Sequence, residues 1–331
     1  MARAFALLCT LALLAAPLAG CDDDAEPAGP RWIDDVEAPL PDWLSETGLY
    51  GRMATFTPGD GVRAYQPPHP LWSSGTQKDR LLFLPAGATI ATDDPWAWDF
   101  PVGTVLAKTF AYSDIEGRQG AVAMETRLLY RRAGGWGYAQ YHWNVEGTEA
   151  RRRDADWPEE VLELHYAGDL AFPYTLPGEI DCKSCHEARE GPPVLGISNR
   201  NLPEELGNVL TGPAQALPAE GRTPEETAAM QYLLGNCVHC HHGGEGNDNA
   251  TYSLLPADLV AHTVNQPTES SASGDGIRVV PGDAEGSALF EAVVRTREPG
   301  YRGQFKPMPP LGIDQVDPEA ARILRAWIES L

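Results

Sequence analysis

The chain has 331 residues, 43% of them hydrophobic, and its formal net charge is −22. A chain of this length can bury one large core or two smaller ones, so about two domains are expected. This acidity does not favour binding to nucleic acid or to an anionic lipid surface, but it would attract a partner with a basic docking face. The alternative is that the acid only keeps the protein soluble.

Residues 1–20 have the pattern of an export signal. Arg3 precedes the apolar run "AFALLCTLALLAAPLA", which is too short and too close to the N-terminus for a membrane span. The run ends in "LAGC", which resembles the lipobox of bacterial lipoproteins, so we expect diacylation of Cys21 and a lipid-anchored protein of the cell envelope, on the periplasmic side or the outer surface. An ordinary signal peptide cut near the same place is the alternative.

Residues 21–44 are acidic and proline-rich, which predicts a linker, and residues 45–175 carry β signals. "RLLFLP" and "GTVLAKTFAY" read as strands, and "METRLLYRRA" and "WGYAQYHWNV" read as a hairpin joined at Gly134 and Gly135. Most of the tryptophans fall in this region, so we expect a β-sandwich or jelly-roll-like domain with an aromatic core. Alternatively, Trp96 and Trp98 could form an exposed contact for a glycan or a partner.

Beyond residue 175 the pattern changes. Residues 176–222 are rich in loop signals and contain the first of two cysteine motifs. Within residues 223–331, one helix is predicted from the N-cap Thr223 to Gly235, and a closing helix is predicted after the N-cap Asp317. We therefore expect an all-α C-terminal domain.

The cysteines carry the strongest signal. Cys9 lies in the export signal and Cys21 is the predicted lipid site. All the others form two close pairs, each followed directly by a histidine: Cys182, Cys185 and His186 in "CKSCH", and Cys237, Cys240 and His241 in "CVHCH". In this attachment signature of c-type haem, two thiols add to the haem vinyl groups and the next histidine binds iron. We predict two covalently attached haem c groups, with His186 and His241 as axial iron ligands.

Two other uses of the cysteine pairs are possible. Four cysteines could bind zinc, but the separation of the pairs does not match the compact spacing of zinc ribbons. Each pair could form a redox disulfide, but no thioredoxin-like βαβ pattern surrounds either one. Neither use requires a histidine after both pairs. His239 and His242 are interpreted as neighbours of the second haem rather than ligands.

The sequence indicates one candidate for the sixth iron ligand at the second motif and several at the first. Met308 lies in the proline-rich stretch "KPMPPLG" before the closing helix. This order of a helix, a cysteine motif, a methionine loop and a closing helix resembles class I cytochromes c, which implies a cytochrome c-like C-terminal domain with Met308 as the sixth ligand of the second haem. A thioether ligand raises the reduction potential relative to two histidines. The stretch after the first motif offers no such residue. His165 is the first choice there, and the other candidates are His142, Met230, Met124, His69 and His262. A vacant position, open to small molecules, is also possible.

The chain resembles a family of bacterial dihaem c-type cytochrome lipoproteins with a β-rich N-terminal region. The resemblance covers most of residues 45–331 and rests on "PLWSSGTQKDRLLFLPAG", "WDFPVGTVLAKTFAY", "ETRLLYRRAGGW", "YHWNVEGTEA", "LGISNRNL", "VVPGDAEGSALF" and "MPPLG", together with both cysteine motifs. The chain departs from the family pattern at "PHPLWSS" and at His142. The family implies the two haems and the architecture, but no substrate.

These observations predict an electron-transfer protein of the bacterial cell envelope. A dihaem peroxidase-like enzyme with an open first haem is one alternative, and a glycan- or partner-binding module that carries haem is another.

Overall fold

The computed structural model describes residues 29–331, except residues 36–37, 96, 114, 116–119, 155–159, 167–169, 188–190, 213, 215–217, 244–251, 269–275, 299, 304 and 311–312. The predicted export signal, Cys21 and Trp96 therefore lie outside the described residues. Among the helices of the described part, none is long and apolar enough to span a membrane.

Most of the strands precede the first α-helix along the chain. The strands are β1 Tyr50–Arg52, β2 Thr57–Pro58, β3 Val62–Ala64, β4 Gln77–Phe83, β5 Ile90–Ala91, β6 Val105–Tyr112, β7 Val122–Arg132, β8 Gly135–Trp143, β9 Ala150–Arg152, β10 Glu160–Tyr166, β11 Leu170–Leu176 and β12 Leu210–Thr211. The helices are α1 Glu179–His186, α2 Pro224–Asn236, α3 Leu259–Thr263, α4 Ala288–Val293 and α5 Pro318–Glu329.

A six-stranded sheet in the order β3-β4-β6-β7-β8-β9 is the centre of the fold, and all its strand pairs are antiparallel. The predicted hairpin is confirmed as β7–β8, although its turn is formed by Ala133 and Gly134, because Arg132 already pairs with Gly135. Strand residues alternate between the two faces, so each face collects its own set of side chains.

One face of the sheet packs against the segment that precedes β3. The buried residues of this layer include Ile33, Leu44, Leu49, Leu81, Val105, Leu128 and Tyr141. Ile33 and Leu44 come from residues predicted to be linker.

The opposite face is covered only in part. Leu82, Leu106 and Leu129 pack there against the buried rings of Trp98 and Phe100 and against side chains of residues 194–209. Trp98 is 1% exposed and its Nε1 donates to Asn199 Oδ1 at 2.7 Å, so this ring is a core residue and not an exposed glycan contact. The remainder of this face forms the floor of a cavity.

The expected fold class is wrong in both of its parts. The protein is mainly β, and its one large sheet is not matched by a second: the other sheets in the described residues have two strands each. The C-terminal region is not an all-α domain, because α3 and α4 are short and described residues between the helices form isolated β-bridges, such as Val264 to Val279. The glycine- and proline-rich sequence between the helices explains this, since neither residue supports a helix interior.

The predicted helix starts are confirmed. Thr223 Oγ1 accepts from the backbone N–H of Glu226 at 3.1 Å, and Asp317 Oδ1 accepts from that of Glu319 at 2.9 Å. Helices α2 and α5 contribute to one buried cluster, which includes Ala229, Met230, Leu233, Leu324, Trp327 and Ile328.

Helix α2 does not end at Gly235 as expected but continues to Asn236. Gly235 instead allows the backbone of His69 to lie close to α2, because a Cβ at this position would be 2.5 Å from the carbonyl oxygen of His69.

Candidate functional site

A cavity of about 210 Å³ lies on the partly covered face of the sheet. Its floor is formed by residues of β4, β6, β7 and β8, and α1 lies along one side. The lining also includes residues 194–197, residues of the stretch 65–73, and Gly235 and His239 from the second motif region. The first cysteine motif faces this cavity through Cys182, Cys185 and His186.

The first motif forms α1 because its flanking residues stabilise one short helix. Asp181 accepts from the backbone N–H of Gly178 at 2.9 Å, which satisfies a donor at the helix start. Lys183 and Glu179 form an ion pair at 2.7 Å across one helical turn. The two cysteines and the histidine are partly buried, while Ser184 remains exposed on the outer side. Burial raises the pKa of the Cys182 thiol.

His186 is held in the orientation and protonation state of a metal ligand. Its Nδ1 lies 2.6 Å from the carbonyl oxygen of Pro193, and because a carbonyl can only accept, Nδ1 must carry the proton. Burial lowers the pKa of His186 to about 4, so the imidazole is neutral at physiological pH. Nε2 therefore keeps its lone pair, the arrangement in which histidine binds a metal. The His186 ring makes an edge-on contact with the ring of Tyr138 of β8, with 5.9 Å between centroids.

Positive charge is concentrated on the floor of the cavity. Arg80 of β4, Lys108 of β6 and Arg127 of β7 all line it. Burial, with Arg80 and Arg127 alongside, lowers the pKa of Lys108 to about 7. The Lys108 side chain is nevertheless not fully buried, since it retains access to the cavity.

The second motif begins where α2 ends. The backbone N–H of Cys237 bonds to Leu233 O, and that of His241 bonds to Cys237 O, both at 2.8 Å, so a helical turn carries both thiols and the imidazole. Burial raises the pKa of the Cys237 thiol to about 12 and lowers that of His241 to about 4.

The surroundings of His241 are less open than those of His186. Its ring lies 4.8 Å from that of Tyr252, between centroids. Burial lowers the pKa of His241, and the Tyr252 backbone acts in the opposite direction. Within the described residues, His241 Nδ1 has no hydrogen bond of good geometry. A small cavity of about 50 Å³ lies beside the motif and is lined by Val238, His239 and His242 on the α2 side. His239 and His242, which were predicted to be neighbours of the second haem rather than ligands, therefore both line a cavity.

Both donor sets fit a c-type haem in their chemistry: two free thiols and one neutral, buried imidazole. At the first motif, Cys182, Cys185 and His186 also line one and the same cavity. At the second motif the fit rests on the donor set and on the orientation of the helical turn.

The stretch of residues 69–76 connects the two motifs and the sheet. Asn201 exchanges two hydrogen bonds with the backbone of His69, at 2.9 and 2.8 Å. The backbone N–H of Trp72 donates to Oδ1 of Asn236 at 2.7 Å, just before the second motif. Ser74 Oγ accepts from the backbone N–H of Asp314 at 2.8 Å, just after the predicted methionine loop. The cavity, the second motif and this loop are therefore held together.

Met308 lies on the surface with 38% of its side chain exposed. Its loop is fixed by Arg297, which donates to the carbonyl oxygens of Met308 at 2.9 Å and Pro309 at 2.5 Å. Pro309 and Ile313 reach the lining of the large cavity. The role of Met308 as an iron ligand stays a prediction.

Of the described side chains considered as sixth ligand at the first motif, only His69 lines the cavity. Met124 and Met230 are buried in separate apolar clusters. His142 lies 3.9 Å from Glu160, and His262 accepts from the backbone N–H of Ser253 at 3.2 Å. His165 belongs to β10, but its side chain is outside the described part of the chain.

Sequence reasoning missed the cationic floor and the role of Pro193. The floor had one available signal: Arg80, Lys108 and Arg127 are charged residues of predicted strands, and each lies two positions from a leucine (Leu82, Leu106 and Leu129) on the same strand face. A backbone carbonyl such as that of Pro193 leaves no signal, because any residue type carries it.

Comparison of the chain with protein-family models, with curated proteins and with solved structures found no match. The resemblance to dihaem cytochromes therefore stays a prediction that rests on the motifs.

Proposed function

We propose that this protein is a dihaem c-type cytochrome that transfers electrons in the bacterial cell envelope. The observation that carries the proposal is the arrangement at the first motif, where two thiols and a neutral imidazole with a protonated Nδ1 face one cavity. The repetition of the same five-residue pattern at the second motif supports a second haem.

Each motif has a distinct task. Cys182 and Cys185 would hold the first haem, and Cys237 and Cys240 the second. Haem iron supplies one-electron redox chemistry when bound. The protein contributes burial and fixed ligands: the Pro193 carbonyl orients His186, and Met308 would raise the potential at the second motif relative to a second histidine.

The envelope location rests on residues 1–21, with Cys21 as the site of the lipid anchor. The net charge of −22 supports a redox partner with a basic docking face and argues against nucleic acid.

The proposal is tested by counting haem in the full-length exported protein, from its intact mass and its reduced absorption spectrum. We expect two haems in the wild type. The double variants Cys182→Ala/Cys185→Ala and Cys237→Ala/Cys240→Ala should each lose one, and each serves as the control for the other. A wild-type mass without haem, from cells that attach haem to a reference cytochrome, would overturn the proposal.

The scarcity of sixth-ligand candidates at the first motif favours a second candidate, a peroxidase-like enzyme with an open first haem. Of the described side chains considered as sixth ligand, only His69 lines the cavity, and a haem iron without a sixth ligand could bind a small molecule. Carbon monoxide added to the reduced protein separates the two candidates. A spectrum that does not change supports two six-coordinate irons and a carrier, with His69 as the first side chain to replace.

A change in about half of the haem, lost in the variant without the first cysteine pair, would support the open site. Peroxide turnover with a reduced cytochrome donor would then be measured.

A further inference from the structure

The cations on the cavity floor form one row across three strands. Arg80 of β4 pairs directly with Lys108 of β6, and Lys108 pairs directly with Arg127 of β7. Directly opposed residues of neighbouring antiparallel strands project from the same face, about 5 Å apart. We call Arg80, Lys108 and Arg127 the cation row. Like charges placed in this way repel each other and weaken the sheet.

The protein compensates this charge only in part. Arg127 is paired with the buried carboxylate of Glu125, to which its Nε donates at 2.9 Å. Arg80 donates to the neutral side chain of Gln66 at 2.6 Å. Lys108 forms no hydrogen bond or ion pair within the described residues, and its ammonium group lies 5.9 Å from the Phe110 ring centroid. Its nearest charged neighbours across the strands are the other two members of the row.

An apolar row lies beside the cation row on the same floor. Leu106 pairs with Leu129, and Leu129 pairs with Tyr138. All three line the cavity. Leu106 and Leu129 each lie two residues from the cation-row residue of the same strand. The two rows are separated by about 7 Å, twice the rise per strand residue. The floor therefore suits a ligand that is apolar on one side and carries negative charge on the other.

We infer that the cation row is an anion-binding site for carboxylate or oxyanion groups, and that the propionates of the first haem occupy it. This assignment of the occupant rests on the proposed function. A haem joined to Cys182 and Cys185 enters the cavity with an apolar macrocycle and two carboxylates, which matches the two rows. Lys108 supplies an amino group that has no hydrogen-bond partner in the described residues and that a neighbouring anion would keep protonated, and Arg80 has further guanidinium donors. A small oxyanion that enters from solvent is the other source of the same chemistry.

The test compares Lys108→Gln with wild type in the haem-loaded, full-length protein. The readouts are the propionate bands of the resonance Raman spectrum and the reduction potential of each haem. We expect both haems to remain attached, the propionate bands of one haem to shift, and the potential of that haem to fall, because a nearby positive charge stabilises the reduced iron. Lys108→Arg should restore the wild-type values.

Arg63→Gln is the matched control, because it removes one positive charge from an exposed position on the adjacent strand β3. It should change neither readout. If Lys108→Gln fails to fold, Arg80→Gln takes its place.

The source of the anion is decided by titrating inorganic phosphate at constant ionic strength. A saturable change in the potential of one wild-type haem, absent in Lys108→Gln, would assign the row to a diffusible oxyanion instead of the propionates. Two haems with no response in any of these readouts would overturn the anion site.

A protein without haem would overturn the proposed function separately. Phosphate calorimetry on that protein then tests the row alone: saturable binding lost in Lys108→Gln supports an anion site, and the absence of binding overturns it.

Discussion

Replacement of Glu125 by Gln perturbs the one buried carboxylate that balances the cavity floor. Glu125 is fully buried in β7 and accepts from four donors: Arg127 twice, Gln140, and the Tyr174 hydroxyl at 2.6 Å. An amide at this position keeps one acceptor oxygen but turns the other into a donor that faces donors. It also leaves the Arg127 guanidinium without its counter-charge.

The expected loss can be bounded from this geometry. Removing one partner of a buried ion pair costs about 3–5 kcal/mol. The Arg127 side chain is 32% exposed, so water can take over part of the solvation of its charge. We therefore expect a loss of free energy of unfolding near the lower limit, about 3 kcal/mol at neutral pH.

The loss should depend on pH. Burial alone would raise the pKa of Glu125, but the charge of Arg127 and the hydrogen bonds from Arg127, Tyr174 and Gln140 hold it below the usual value of 4.5. A carboxyl with a lowered folded-state pKa stabilises the fold above its unfolded pKa, and this stabilisation is lost as the pH falls through the folded pKa. The difference between wild type and variant should therefore shrink below about pH 4.5.

Urea unfolding followed by circular dichroism at several pH values measures this difference. Glu163→Gln is the control, since Glu163 is exposed on β10 and its replacement should stay within about 0.5 kcal/mol. A Glu125→Gln loss below about 1 kcal/mol at neutral pH, or one that does not change on acidification, would refute the reasoning.

Three further predictions concern the C-terminal region. Met308→Ala should lower the reduction potential of one haem only, measured by redox titration, and unchanged potentials would remove Met308 as a ligand. Gly235→Ala should lower the melting temperature, at a cost of about 1–3 kcal/mol, because the added Cβ would lie 2.5 Å from the His69 carbonyl oxygen. An unchanged melting temperature would mean that the His69 backbone moves away from the added Cβ without loss of stability. Asp317→Ala should cost about 1 kcal/mol in urea unfolding through loss of the bond to the Glu319 N–H, whereas an unchanged midpoint would show that this cap is not needed.

Local features of the fold were predictable because their causes are local. The β7–β8 hairpin follows from two alternating strands joined at a glycine-containing turn, and the starts of α2 and α5 follow from Thr223 and Asp317 as N-caps. Gly235 was misread because glycine serves both as a helix terminator and as a place of close approach. Only the position of the His69 carbonyl distinguishes these two uses.

The fold class was not predictable from the same signals. Strand patterns reveal which side chains share a face, but they do not say whether a second sheet or a loop covers that face. Here the segment before β3 and residues 194–209 provide cover on opposite faces. Helical caps likewise mark where a helix begins, but they do not show what lies between two helices, and described residues between α2 and α5 form isolated β-bridges.

The sequence by itself determined which chemistry to expect, because Cys-x-x-Cys-His places two thiols and an imidazole within five consecutive residues. Only the tertiary structure decided what faces the first motif. Arg80, Lys108 and Arg127 are far apart along the chain, and strand register brings them into one row. His69 reaches the same cavity because Asn201 binds its backbone. Such non-local contacts depend on how the whole chain packs, so no short stretch of sequence encodes them.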